Sequence, residues 1–176
     1  MITNPSPTRA EANDVATAIL TGTDAIMLSG ESSAGKYPVE AVAFMSHTAI
    51  EVESGISPKV ILSRAMDSSI SADAITKAAA SLCIEMSKDI DKVLVVSKSG
   101  RTARLLTRHN LSQPVYAFVS TALFARTLML SKGVIKAFVQ DATQENRDNA
   151  VQQVLDRAKR EGIIKVNERI LLICKT

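Results

Sequence analysis

The amino-acid sequence predicts an α/β fold in which a mostly parallel sheet is covered by helices on both faces. Short apolar runs alternate with segments of helical periodicity, the order that crossovers between parallel strands produce. The core must be aliphatic, since only 3% of the residues are aromatic and tryptophan is absent. With 176 residues, the chain can form one ordinary domain, or one domain and part of another.

The first 53 residues are predicted to form a helix, a strand and a second helix. The first helix begins after Thr8 with a capping box, in which Thr8 caps the first turn and Glu11 reaches back to the Thr8 amide. The apolar run 24–28 predicts a strand buried on both faces, and the second helix begins near Pro38. This order is typical of the last part of an α/β barrel.

A domain boundary is predicted in the serine-rich stretch that follows. Residues 54–67 are interpreted as a linker between a barrel remnant, 1–53, and a second domain, 68–176. An isolated barrel strand would keep unpaired edges. We therefore expect the remnant to be disordered, repacked onto the second domain, or exchanged between chains in a dimer.

The second domain is predicted to be three-layered, with helices and strands alternating along its length. On its first helix, 70–87, a buried stripe is predicted at Ile75, Ala79, Leu82 and Met86. The later predicted elements are a strand at 92–96, a helix at 101–109, a strand at 115–120, a helix at 121–130, a strand at 134–139, a helix at 143–160 and a strand at 169–174.

Composition argues against several classes of function. The net charge is +3 and basic residues are mixed with acidic ones, so neither nucleic acid nor a membrane surface is an expected partner. Cys83 and Cys174 lie in apolar stretches and are predicted to be buried free thiols of a cytoplasmic protein. Core filling is the predicted role of four methionines: Met27, Met45, Met86 and Met129.

One loop carries a pattern suited to binding phosphate. It joins a predicted strand to a predicted helix, where free amides and the helix dipole favour an anion. Hydroxyl groups, two cations and a glycine that allows close approach are supplied by Ser97, Lys98, Ser99, Gly100, Arg101 and Thr102. The alternative is that Ser99 only caps the helix and the cations are solvated.

The other candidates offer less. The turn 29–36 lies after the predicted barrel strand and only loosely resembles a phosphate loop, so we interpret it as a structured turn. His47 and His109 lack neighbouring ligands at metal-binding spacing and are interpreted as structural. No constellation for nucleophilic or acid–base catalysis is evident.

The sequence resembles the pyruvate kinase family over nearly its whole length. Closing barrel segments of that family are similar to 1–16 (MITNPSPTRAEANDVA), 22–31 (GTDAIMLSGE) and 35–42 (GKYPVEAV). The family's C-terminal domain is similar to the remainder, best at 93–104 (VLVVSKSGRTAR) and less so after about Val134.

The resemblance implies phosphoryl transfer between phosphoenolpyruvate and ADP, with Mg²⁺ and K⁺ in the intact family. The catalytic lysine, metal-binding carboxylates and main nucleotide contacts of that family lie upstream of the position of Met1. We therefore expect this chain alone to have no catalytic residue and no activity. Some members approach ATP with a lysine where this sequence has Ala34, and the nearby Lys36 does not align with it.

The resemblance also implies regulation. Some members bind an allosteric sugar phosphate, and hold one phosphate in the loop aligned with residues 97–102. Longer members continue past the last strand into an effector loop and one further strand, so we expect weak affinity or a different ligand here. Expected partners are thus a phosphorylated metabolite and, as a homo-oligomer, other copies of the chain. The alternative function is a stand-alone regulatory or assembly module.

Overall fold

The computed structural model describes residues 1–56, 70–140 and 147–174. The chain divides into two compact units, Met1–Ser57 and Pro58–Thr176. Most of the predicted linker, 54–67, lies outside the described residues. Among the helices described, none has the length and apolar character needed to cross a bilayer.

The first unit contains the helices α1 (Arg9–Leu20), α2 (Gly30–Ser33) and α3 (Pro38–Ser54). The predicted capping box of α1 is confirmed, because the Glu11 amide donates to Thr8 Oγ1 at 3.2 Å and the Thr8 amide donates to Glu11 Oε2 at 2.7 Å. Pro38 occupies the first turn of α3, as predicted. The described part of this unit is therefore helical.

The strand predicted at 24–28 is wrong. These residues form neither helix nor strand, and Met27 is 86% exposed. A strand requires hydrogen-bonding partners, and the described part of this unit contains no strand with which the run could pair. The short helix α2, within the predicted turn 29–36, was not predicted.

The second unit alternates helices and strands, as the sequence predicts. Its elements are α4 (Ile70–Glu85), β1 (Lys92–Val96), α5 (Arg101–Thr107), β2 (Val115–Val119), α6 (Ala122–Leu128), β3 (Val134–Val139), α7 (Arg147–Arg160) and β4 (Ile170–Cys174). The strands form one parallel sheet in the order β3-β2-β1-β4. This confirms the α/β fold; residues 143–146 of the predicted long helix lie outside the described residues.

Two apolar clusters cover the faces of this sheet. Alternate residues of β1 point to opposite sides, so Val93 and Val95 belong to the cluster that includes residues of α4, α5 and α6. Leu94 and Val96 belong to the cluster that includes Val154 of α7. The central strand is therefore buried on both faces, which explains its continuous apolar sequence.

The buried stripe predicted for α4 is largely wrong. Ala79 is buried, but Ile75 and Leu82 are each 46% exposed and Met86 is 43% exposed. Fully buried positions of this helix instead carry small side chains, namely Thr76, Ala80 and Cys83. Small side chains allow close approach to α5 and the sheet, which leaves the larger ones on the outer face.

Two further burial predictions fail. Met27 is 86% exposed and Met129 is 51% exposed. Like Met86, these two side chains therefore do not fill the core. Cys174 is exposed at the end of an edge strand, whereas Cys83 is buried as predicted. Burial raises the pKa of the Cys83 thiol to about 11.

Candidate phosphate-binding site

The candidate loop follows β1, the strand on whose two sides the later strands are added: β2 on one side and β4 on the other. Val96, the last residue of β1, pairs with Phe118 of β2 on one side and with Cys174 of β4 on the other. The chain leaves β1 through α5 to reach β2, whereas β4 joins the opposite side of β1 after α7. Ligands of open α/β sheets bind outside the carboxyl ends of strands at such a reversal of strand order. The fold therefore places residues 97–102 at a favourable position for a ligand.

Gly100 gives the loop its shape. It has a φ of +76° and precedes the first residue of α5. Its amide donates to Ser97 O at 3.3 Å, and its carbonyl oxygen accepts from the Arg104 amide at 3.1 Å. A Cβ atom here would lie 2.8 Å from Leu128 Cδ1. Glycine is thus required both for backbone conformation and for the approach of α6.

The polar side chains of the loop have no hydrogen-bonding or ion-pair partners among the described residues. Ser97 and Thr102 are 5% and 2% exposed, whereas Lys98, Ser99 and Arg101 are exposed. Across the described ranges, no hydrogen bond involves the hydroxyl groups of Ser97, Ser99 or Thr102. The alternative that Ser99 caps the helix is wrong, because the cap residue is Gly100 and no side chain caps this end.

Backbone amides add donors at the same place. The first turn of a helix leaves its N–H groups without intrahelical partners. For Arg101, Thr102 and Ala103, we find no backbone acceptor within the described part of the chain. The loop therefore combines free amides, hydroxyl groups and two exposed cations, a set of donors suited to an oxyanion such as phosphate.

The turn 29–36 is held by its own contacts. The Ser29 amide donates to Glu31 Oε2 at 3.1 Å, and the Lys36 amide donates to Ile2 O at 2.9 Å. A Cβ atom at Gly35 would lie 2.5 Å from Glu31 O, so the turn closes tightly on itself. This agrees with its interpretation as a structured turn.

The two histidines occupy different environments. His47 is exposed on α3, whereas His109 is fully buried after α5. Burial, and to a lesser extent the positive charge of Arg108, lower the pKa of His109. Arg108 pairs with Asp73 of α4, which also binds Lys77 at 2.8 Å. This network joins α4 to the end of α5, which fits the structural role predicted for His109.

Two residues near the loop were missed by the sequence interpretation. Ser120 follows β2 and contacts the loop backbone, since its amide and its hydroxyl group both donate to Lys98 O, at 3.2 and 2.9 Å. Leu128 of α6 lies against Gly100. The available signal was the Ser120-Thr121 pair at the end of a strand next to β1, because carboxyl ends of parallel strands share one edge.

Two family profiles match the sequence. One, described as "Pyruvate kinase, barrel domain", matches residues 1–42. The other, described as "Pyruvate kinase, alpha/beta domain", matches residues 73–176. Together they reach into both compact units.

Individual proteins agree with the profiles. A pyruvate kinase of Bacillus licheniformis is 40% identical over 173 residues, which are 96% of this chain but 28% of that protein. A crystal structure of a Cryptosporidium parvum pyruvate kinase superimposes with a TM-score of 0.77 at 28% identity, covering 97% of this chain and 34% of the other. A second structure, of the C. parvum enzyme in complex with ADP, gives a TM-score of 0.74 at 29% identity and covers 99% and 35%. The chain thus spans about a third of the length of these relatives.

Proposed function

The chain belongs to the pyruvate kinase family, and on this premise we propose that it forms the C-terminal part of a glycolytic, cytoplasmic enzyme that transfers a phosphoryl group between phosphoenolpyruvate and ADP. The matches to both the barrel and the α/β domain of the family support this proposal. The C. parvum relative, which is named as a complex with ADP, supports the nucleotide as a substrate of the complete enzyme.

The metal ions of the family do not fit the described residues. Phosphoryl transfer is catalysed mainly by cations and metal ions placed around the transferred group. Within residues 1–56, 70–140 and 147–174, no three Asp, Glu, His or Cys side chains are grouped so as to hold a metal ion. We therefore assign no step of the reaction to Mg²⁺ at these residues.

The role that we assign to this part of the enzyme is regulatory binding of a phosphorylated metabolite at residues 97–102. One observation carries this proposal: the hydroxyl groups of Ser97, Ser99 and Thr102 have no hydrogen-bonding partner in the described protein, beside the exposed cations Lys98 and Arg101. A phosphate group supplies acceptors for all of these donors. Charge-assisted hydrogen bonds are the stronger ones in such sites.

Isothermal titration calorimetry on the 176-residue chain tests this role. Inorganic phosphate and a sugar bisphosphate are titrated into the wild-type chain and into Arg101→Ala. A hydrogen bond to a charged group contributes roughly 1.5–3 kcal/mol, so Arg101→Ala should weaken binding by about tenfold or more.

Arg160→Ala is the matched control, since Arg160 is also exposed but lies on α7, which covers the other face of the sheet. It should bind phosphate as the wild type does. Equal affinity of the wild type and Arg101→Ala would contradict the assignment of this loop, and equal weakening by both variants would indicate only a general effect of net charge.

A second candidate function is a regulatory or assembly module that works without catalysis. The outer face of α4 favours it, because Ile75 and Leu82 of the helix, and Met86 just beyond its end, are between 43% and 46% exposed. An apolar stripe of this kind is suited to contact with another copy of the chain. Phosphate binding or self-association in the absence of any pyruvate formation would support this function.

A further inference from the structure

The connection between Ser120 and the loop departs from regular strand pairing. The Ser97 amide donates to Phe118 O at 3.0 Å, as the parallel ladder of β1 and β2 requires. In a regular ladder the carbonyl oxygen of Ser97 would then accept from the Ser120 amide. Here the acceptor is Lys98 O, one residue later, and Ser97 O instead accepts from Gly100. The shift allows β1 to end in a tight turn while still attached to β2.

The Ser120 side chain strengthens this shifted contact. Its hydroxyl group donates to Lys98 O at 2.9 Å, and its amide donates to the same oxygen at 3.2 Å. Two donors on one oxygen fix the direction of that carbonyl group. Because the peptide unit is planar and trans, the N–H group of Ser99 must point the opposite way, away from β2. β4 lies on that side of β1.

We propose that Ser120 is a positioning residue of the phosphate-binding loop, which orients the Lys98–Ser99 peptide so that the Ser99 amide faces an oxygen of a bound phosphate group. The inference rests on the proposed phosphate binding at residues 97–102. Ser120 acts through Lys98 O and does not itself touch the ligand. A binding group that is held in place before the ligand arrives loses less conformational freedom on binding.

Three variants separate positioning from stability. Ser120→Ala removes the hydroxyl donor, and Ser120→Thr restores it. Thr121→Ala is the matched control in the next residue: it removes the N-cap of α6, in which Thr121 Oγ1 accepts from the Phe124 amide at 3.3 Å, and leaves Lys98 O untouched. A purely structural effect would therefore appear in Thr121→Ala as well.

Two measurements are made on each variant of the 176-residue chain. Calorimetry with inorganic phosphate should show binding by Ser120→Ala that is weaker by roughly two- to tenfold, the effect of one hydrogen bond, with wild-type affinity for Ser120→Thr and Thr121→Ala. Hydrogen–deuterium exchange without phosphate should show faster exchange of the amides of residues 100 and 120, which donate to Ser97 O and Lys98 O, in Ser120→Ala but not in Thr121→Ala.

Each outcome decides one question. Wild-type affinity and unchanged exchange in Ser120→Ala would overturn the positioning role while leaving phosphate binding intact. Equal losses in Ser120→Ala and Thr121→Ala would also overturn it, because the effect would then be one of stability. If the wild type binds no phosphate, the proposed function fails, and the exchange of the amides of residues 100 and 120 alone decides whether Ser120 orients the loop.

Discussion

Gly100 imposes two separate restrictions on the candidate site. Its φ of +76° lies in the left-handed region that non-glycine residues rarely adopt, and its Cα faces the buried Leu128 side chain. Leu128 is 1% exposed, so it has little room to move away. The absence of a side chain at Gly100 therefore permits both the loop conformation and the close approach of α6.

Replacement of Gly100 by alanine should destabilise the fold more than the same change elsewhere. Backbone strain and overpacking each cost about 1–3 kcal/mol, so Gly100→Ala should lower the free energy of unfolding by roughly 2–5 kcal/mol in urea denaturation. Gly162 is the matched control in the same unit: its φ is +69°, but nothing lies within 4 Å of an added Cβ. A loss at Gly100 no larger than that at Gly162 would show that contact with Leu128 is unimportant.

At the scale of elements, α4 shows how a helix can be oriented against its apolar periodicity. Ile75 and Leu82 are each 46% exposed, whereas Ala80 and Cys83 are fully buried. Close packing of small side chains brings the helix against the sheet and α5, and the ion pair between Asp73 and Arg108 connects the same two helices. Rotation that buried Leu82 would remove this contact surface.

Replacement by glutamine at two positions of α4, one exposed and one buried, tests this orientation. Leu82→Gln, on the outer face, should change the free energy of unfolding by less than about 0.5–1 kcal/mol, as surface substitutions generally do. Ala80→Gln should cost about 3 kcal/mol or more, since it places a larger polar group in a packed site. Chemical denaturation of both variants measures the difference, and a larger cost at Leu82 would reverse the assignment of faces.

The Leu82→Gln variant also reports on self-association. If the α4 stripe contacts another copy of the chain, sedimentation velocity should show a smaller oligomer for Leu82→Gln than for the wild type, with the fold intact. An unchanged distribution of oligomers would contradict the use of this stripe in assembly.

At the scale of the whole molecule, the two units differ in what they contribute. The second unit has a four-stranded sheet with an apolar cluster on each face and carries the candidate loop. The first unit consists of three described helices and exposes Leu20 at 65%, Val39 at 74% and Ile50 at 62%. Such apolar surface is typical of an interaction face. Both units match profiles of the family, and the loop for which we propose phosphate binding lies in the second.

The 176-residue chain by itself should form no pyruvate from phosphoenolpyruvate and ADP. An electrostatic site without its metal ligands should lose nearly all of its rate. A coupled assay with Mg²⁺ and K⁺ checks this expectation, with the complete B. licheniformis relative as the positive control. Turnover above the background would contradict our expectation that these residues carry no catalytic set.

The sequence by itself determined the family, the α/β class, the capping box at Thr8 and the positions of the four strands described in the second unit. These features depend on local patterns, such as a continuous apolar run at 92–96 or a cap followed three residues later by Glu11. The loop 97–102 was located for the same reason, since the order strand, polar loop and helix is visible in the chain.

Tertiary structure decided those features that depend on contacts between residues distant in sequence, namely strand pairing, burial and the contact of Ser120 with the loop. The run 24–28 has the composition of a strand but forms none, because a strand needs neighbours for its hydrogen bonds. The buried face of α4 follows the shape of the surface it meets, and Cys174, the last residue of β4, is exposed although it ends an apolar run. Ser120 reaches Lys98 across 22 residues, through pairing of β1 with β2. Local periodicity specifies elements, whereas burial and positioning are properties of the contacts between them.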